Sequence, residues 1–195
     1  MSLVSPYKNI FQYTRISLAP HNLNSDINNN IMFKLKNSIE KKCNKNGFIE
    51  NIYEIAEYND GIIMNEDFSG NVIFNVKYYC KLCLPVINTI IIGQIKLINQ
   101  ELIIANNGPM YIFITNNNIN DEFWKVNNNE IVNKKTKNKL KENNLVKILI
   151  LDKRINANSK KINLIGKLQD FATEDEIKKY YQKVEKKDDD KSNFI

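Results

Sequence analysis

Cys80-Lys81-Leu82-Cys83 is the string in this chain whose spacing first suggests chemistry. Two thiols so placed suit a metal or a redox couple, but a zinc site takes about four ligands. Only Cys43 and the single histidine, His21, remain to complete such a set. Strand alternation opposes it. Residues 72–84 read as one long strand, and positions three apart on a strand point to opposite faces. The expectation is Cys80 in a core, Cys83 half exposed, and no metal or other cofactor. His21 follows Pro20 in a loop with no nucleophile beside it, so a surface or capping role is expected. No P-loop, dinucleotide-binding glycine motif, zinc-protease motif or nucleophile elbow occurs. The acidic pairs Glu66-Asp67 and Asp121-Glu122 fall in expected turns, and Asp188-Asp189-Asp190 in a charged tail. No catalytic residues are assigned.

Positive content lies in aromatic and basic residues. Single-stranded nucleic acids bind small barrels by stacking bases on rings while a basic groove follows the phosphates. If Met110, Ile112 and Ile114 face inward, then Tyr111 and Phe113 face outward. Lys96 faces away from Ile95 and Leu97. Lys147, Lys153 and Arg154 add charge on a later strand. These six are the candidate RNA contacts. The alternative is that Tyr111 and Phe113 pack against the segment holding Trp124, or against the first domain. The chain carries 28 Lys+Arg against 22 Asp+Glu, a net charge of +6. A basic balance favours polyanionic partners. Its arginines are Arg15 and Arg154 alone, and Asn and Ile abound, so part of the basicity reflects A/T-rich codons.

These residues need elements to hold them. Residues 16–20 read as a short strand closed by Pro20, which Phe11 and Tyr13 extend backwards. Ile27, Ile31, Leu35 and Ile39 form one helical stripe, with Asn24 or Ser25 as cap. Asn44 to Gly47 is expected to end that helix. Residues 48–55 and 61–64 read as strands, and Asp67-Phe68-Ser69-Gly70 as a turn. Val72, Phe74, Val76, Tyr78, Cys80, Leu82 and Leu84 then share one face of the long strand, which Pro85 breaks. The first half is thus α+β, a single helix on a curved antiparallel sheet. After Pro85 come strand candidates at 89–98, 101–105, 110–115, 145–152 and 161–168. Five short strands with one long insertion suit an all-β OB-type five-stranded barrel. Phe123, Trp124 and Val126 are expected to anchor the 116–144 insertion over the barrel end, with its remainder mobile. Thr173 and Glu176 form a capping box opening a helix with a stripe of Ile177, Tyr180, Tyr181 and Val184. Residues 186–195 are expected to be disordered. The boundaries drawn are a first domain at 1–86, the barrel at 87–172 and a C-terminal helix and tail at 173–195.

The three cysteines, an odd count, argue for a reducing compartment. Residues 1–13 lack a signal-peptide pattern, and no apolar run approaches the roughly 18 residues that span a bilayer. An intracellular protein without a membrane partner is expected.

The order of these features resembles the larger stalk subunit of eukaryotic and archaeal RNA polymerases. The matching segments are Leu18-Ala19-Pro20, Gly47-Phe48-Ile49 after the helix, Asp67 to Tyr78, Gly108-Pro109-Met110 with Ile112 to Thr115, and Ile165 to Leu168. The 116–144 insertion, the C-terminal helix and Phe68 in the turn depart from the family pattern. They suit a divergent member, and a large DNA virus encoding its own polymerase is a plausible source. The resemblance implies a non-catalytic subunit whose first domain is a tip docking on the polymerase core. Gly47, Phe48, Ile49, Phe68 and Gly70 are the docking candidates. It implies a smaller stalk partner packed along both domains, and a barrel that meets nascent single-stranded RNA. The compartment would be the nucleus, or a virion and cytoplasmic viral factory. The competing reading is a free-standing single-strand RNA-binding protein of translation-factor type. A third is an enzyme with an unrecognised site.

Overall fold

The structure, a computed structural model, describes residues 3–65, 68–99, 101–127 and 130–189. Asp67, which opens the expected turn, and residues 190–195 lie outside the described residues.

The first half begins with β1 (Tyr7–Leu18), followed by the helix α1 (Ile27–Ile39) and the strands β2 (Cys43–Asn44), β3 (Gly47–Tyr58), β4 (Ile62–Ile63) and β5 (Val72–Cys83). The sheet order is β1-β5-β3-β2, with β4 pairing against the start of β5. Every pairing is antiparallel. Register shifts at Ile49/Asn51, Ile52/Glu54 and Ile55/Glu57 put extra residues into β3. Such bulges bend and twist a strand, which curves the sheet around its helix. The α1 stripe packs as its spacing predicts: Ile31 and Leu35 are fully buried against Ile16, Leu18, Ile49, Ile52, Phe74, Val76, Tyr78, Cys80 and Leu82.

β1 is twelve residues long and reaches back past Tyr13 and Phe11 to Tyr7, the direction in which those rings extend the 16–20 strand. One sequence expectation changes at the helix end. α1 stops at Ile39, where Lys42 Nζ donates to the Asn37 and Ser38 carbonyls at 3.1 and 2.8 Å. Asn44 to Gly47 is instead the turn of the β2–β3 hairpin, in which Asn44 Oδ1 accepts from the Asn46 and Gly47 amides.

The second half is a closed barrel of β6 (Ile90–Ile98), β7 (Leu102–Asn107), β8 (Met110–Thr115), β11 (Leu145–Arg154) and β12 (Ile162–Phe171). The order around it is β11-β12-β8-β7-β6, with β12 and β8 parallel. Between β8 and β11 lies a hairpin of β9 (Trp124–Asn127) and β10 (Glu130–Asn133). Trp124 is 1% exposed; its Nε1 donates to the Gln169 carbonyl at 2.7 Å and its ring meets Phe171 edge-on at 4.9 Å. Phe123 is partly buried beside it, whereas Val126 is 48% exposed and does not anchor the insertion. The segment expected to be mobile is tied down by buried Ile131, Asn133 and Leu140, with Asn133 Nδ2 donating to Asp170 Oδ1 at 2.8 Å.

Helix α2 (Glu174–Asp189) closes the described chain. Its capping box is formed: the Thr173 amide donates to Glu176 Oε2 at 2.9 Å, and the Glu176 amide to Thr173 Oγ1 at 3.3 Å. It runs past Val184 into the stretch expected to be disordered. No helix among the described residues is long and apolar enough to cross a membrane.

β5 joins the two halves. One of its faces supplies Phe74, Val76, Tyr78, Cys80 and Leu82 to the tip core, and its last residue, Cys83, lies in the barrel cluster with Tyr7, Cys43 and Phe48. Cys83 is therefore fully buried, not half exposed, because β5 ends beneath the barrel. The β2 backbone stitches the same seam: the Cys43 amide donates to the Ser159 carbonyl and the Asn158 amide to the Cys43 carbonyl, each at 2.8 Å. Gly47 is required there. Its φ is +145°, and a Cβ would stand 2.6 Å from the Cys83 carbonyl oxygen.

Candidate nucleic-acid interface

β8 alternates as its sequence predicts. Met110, Ile112 and Ile114 are fully buried in the barrel, and Tyr111 and Phe113 lie half-buried on its outer surface. The registers build two rows across neighbouring strands. Phe113 stands between Ile104 on β7 and Ile165 on β12, and Ile165 in turn pairs with Asp152 on β11. Tyr111 stands between Asn106 on β7 and Asn163 on β12, and Asn163 pairs with Arg154. Ile165 is 45% exposed, and Leu97, which pairs with Ile104, is 38% exposed. An apolar and aromatic strip thus runs over four strands, with exposed Lys96 beside Leu97 at one end, exposed Asp152 at the other, and exposed Arg154 two residues beyond Asp152 at the end of the Tyr111 row.

Lys161 Nζ lies 4.0 Å from the centroid of the Tyr111 ring. The sequence reading missed this lysine. It sits just before β12, and its place over Tyr111 depends on how the β11–β12 loop folds. Ser159 Oγ and Cys43 Sγ both donate to the Lys161 carbonyl, at 2.9 and 3.5 Å. A cation over an aromatic face is attracted by the ring quadrupole. The row of Ile104 and Ile165 was also missed, because apolar residues at outward positions blur strand alternation.

Of the six candidates, Lys96, Tyr111, Phe113 and Arg154 share this surface. The other two are engaged elsewhere. Lys147 pairs with Glu176 of α2 at 3.1 Å, and Lys153 Nζ donates to the Pro85 carbonyl at 2.9 Å. The Trp124 insertion packs against residues 168–171 at the far end of β12, so it does not account for the half-burial of Tyr111 and Phe113.

The docking candidates separate sharply. Phe48 is 4% exposed and Ile49 is fully buried, with buried Gly47 under Cys83. This turn is the seam between tip and barrel, and a partner cannot reach its side chains. That expectation is corrected. Phe68 is wholly exposed, and Gly70 holds φ at +67°. Beside them Ile62, Ile63 and Met64 are 52%, 59% and 53% exposed. They cluster at the start of β5, the end of the tip away from the barrel.

The three thiols are free and buried. Cys80 and Cys83 lie in different cores, as the alternation required. Burial pushes the Cys80 thiol up to about 11 and moves Cys83 and Cys43 in the same direction. Burial disfavours the thiolate at all three positions.

No protein-family model matches the chain. Sequence relatives are more informative. The chain is 37% identical over 166 residues to a protein of Acanthamoeba polyphaga mimivirus assigned as a DNA-directed RNA polymerase subunit; the match spans 85% of this chain and 83% of that one. It is 26% identical over 159 residues to DNA-directed RNA polymerase II subunit RPB7 of Glycine max, spanning 80% and 88%. To DNA-directed RNA polymerase II subunit 7 of Arabidopsis thaliana it is 30% identical over 108 residues, 55% of this chain and 60% of that one. With a helix-backed tip joined by one strand to a five-stranded barrel, the chain belongs, as a divergent member, to the RNA polymerase subunit family of RPB7, the larger stalk subunit.

Proposed function

We propose that the chain is a non-catalytic stalk subunit of a DNA-directed RNA polymerase, that its tip docks on the core enzyme, and that its barrel holds nascent single-stranded RNA. The observation that carries the RNA reading is the outward pair Tyr111 and Phe113, flanked by Ile104 and Ile165, with Lys161 over the Tyr111 ring at 4.0 Å. Rings on an open surface with cations at the rim suit sequence-tolerant stacking. Docking is supported by Ile62, Ile63, Met64 and Phe68, each more than half exposed on one end of the tip. Contiguous exposed apolar side chains of this kind mark protein contacts. They also disfavour a free-standing RNA binder, which has no use for an apolar end remote from its barrel. A smaller stalk partner along both domains completes the proposal. The mimivirus relative favours the polymerase of a large DNA virus, acting in the nucleus or in a cytoplasmic factory and virion.

The RNA reading is tested by fluorescence anisotropy with a single-stranded oligouridylate. Phe113→Ala is expected to weaken binding by about tenfold or more, since one stacked base contributes about 1–3 kcal/mol. Unchanged affinity would remove the β8 face from RNA contact.

A further inference from the structure

Helix α2 begins on the barrel and reaches the tip. The Ala172 amide donates to the Leu145 carbonyl at 3.0 Å, which roots the chain at the start of β11. The Thr173–Glu176 box opens the helix, and Glu176 also pairs with Lys147 on β11 at 3.1 Å. One turn further on, Tyr180 is 2% exposed. Asn107 Nδ2 donates to the Tyr180 hydroxyl at 2.8 Å and to the Ile92 carbonyl at 2.6 Å, so the ring is held beside β6 and the β7–β8 turn. The tip grips the same turn. A Cβ on Gly108, whose φ is +56°, would overlap the Tyr7 hydroxyl, and α2 itself lies against β1, the strand that begins with Tyr7. Barrel turn, tip strand and C-terminal helix therefore meet at one place.

The tip sheet has β1 at one edge and β2 at the other, with β5 between them running on beneath the barrel. The β2 edge is fastened by backbone, through the bonds of Cys43 to residues 158 and 159. At the β1 edge the Val4 amide donates to the Ile90 carbonyl at 3.0 Å, just before the strand. Beside it lies an open cleft of about 630 Å³, lined by Tyr7 and Lys81 of the tip, Gln94 and Asn106 of the barrel and Tyr181 of α2. An open space at one edge lets two packed halves pivot there unless something spans it, and α2 spans it. The helix depends on the seam in return. Its first two turns offer only Ile177, Tyr180 and Tyr181 as apolar surface. A mostly charged helix of 16 residues is marginal in water by itself, so its stability comes from docking.

We infer that α2 is a strap that fastens the β1 edge of the tip to the barrel, so that the two halves hold one angle, and the cleft one width, in the chain by itself. This role is independent of RNA binding and of docking on a polymerase. The fastening has two parts. An ion pair and a capping box hold the barrel end, and one buried ring with a bonded hydroxyl holds the seam. Helix docking and closure of the β1 edge are then a single equilibrium, and a change that loosens the helix on the barrel must also loosen the tip strand it covers.

The test places spin labels on the full chain at Lys34→Cys on α1 and Lys125→Cys on β9, both exposed positions, the native thiols being buried. Pulsed dipolar spectroscopy should give one narrow distance distribution. Adding Tyr180→Ala should lift a second population to about 10% or more. Trp124 emission and the protection of Cys80 from thiol reagents should stay as in the parent, which shows that barrel and tip each remain folded. A parent distribution that is already broad, or a variant distribution that stays narrow, overturns the inference. Where Tyr180→Ala unsettles one half, Lys147→Gln decides, since it leaves α2 and its cap intact. Amide exchange read by mass spectrometry should quicken by about twofold to fivefold in α2 and, together with it, in the opening residues of β1. Faster exchange confined to α2 would make the helix an appendage of the barrel, and unchanged exchange in both would leave the ion pair without a fastening role; either result overturns the inference.

Discussion

The tip and the barrel share β5 but treat strand edges in opposite ways. In the barrel every strand has two neighbours, because β6 pairs with β11 to close the ring. In the tip the order runs out at β1 and β2, and one face of the sheet stays open to solvent beside the helix-covered core. Closure removes unpaired backbone and fixes geometry. An open sheet leaves surface for contacts and opens at lower free energy. Two kinds of surface follow. The barrel positions Tyr111 and Phe113 on a rigid wall, whereas the tip presents Phe68, Ile62, Ile63 and Met64 on its far end. β5 couples the halves, since its residues enter both cores.

The largest expected effect falls on the closed half. Trp124→Ala should destabilise the chain by about 3–5 kcal/mol through the lost ring alone. It also strips the Gln169 carbonyl of its 2.7 Å donor. A thermal melt reads this as a lower midpoint, and an unchanged midpoint would mean the insertion is decoration on the barrel. Phe48→Ala strikes the seam. Phe48 is 4% exposed, pairs with Cys83 and belongs to the barrel cluster although it lies on a tip strand. A loss of about 3 kcal/mol is expected, with the single unfolding transition splitting into two as the halves uncouple. A single, merely shifted transition would show that β5 and the β2 backbone bonds carry the coupling without the ring.

A smaller effect separates the halves in time. Cys80 lies in the tip core and Cys83 beneath the barrel. Under native conditions a thiol reagent should modify Cys80 first, as read by mass spectrometry of the trapped peptides, because the open-edged sheet opens more readily. Labelling Cys83 first would reverse the ranking of the two regions. The smallest effect concerns α2, which Glu176 ties to Lys147 at 3.1 Å. Burial works to raise the Glu176 carboxyl, but the Thr173 amide, Lys147 and the Thr173 hydroxyl outweigh it and hold it below the usual range. A depressed carboxylate stabilises above its unfolded value and loses that contribution as pH falls through the folded value. Acidification should therefore loosen α2 before the barrel, seen as loss of helical signal with the Trp124 environment intact. In Glu176→Gln that loss should no longer follow pH.

Much of this architecture is legible in the residues. The α1 stripe, the alternation of β5 and β8, the barrel strands and the Thr173–Glu176 box follow from local spacing, and local spacing is what a sequence displays directly. What was hidden depends on how elements meet. Gly47, Phe48 and Ile49 read as a surface turn because nothing nearby in sequence reveals that Gly47 lies against the Cys83 carbonyl and that the backbone of Cys43, the partner of Phe48, bonds to residues 158 and 159. Lys147 and Lys153 read as free cations because their partners, Glu176 and the Pro85 carbonyl, are 29 and 68 residues away. Lys161 escaped notice for the converse reason: its ring partner Tyr111 lies on another strand, paired in parallel.

The central claim is membership in a polymerase through the exposed end of the tip. Affinity purification of the tagged chain from its native host, followed by identification of co-purifying subunits, tests it most directly. The wild-type chain should recover the large polymerase subunits. An Ile63→Lys/Phe68→Glu variant, changed only at exposed positions, should stay folded, retain single-strand RNA affinity and lose those subunits. Recovery of the wild-type chain without any large polymerase subunit, or undiminished recovery by the variant, would contradict the account.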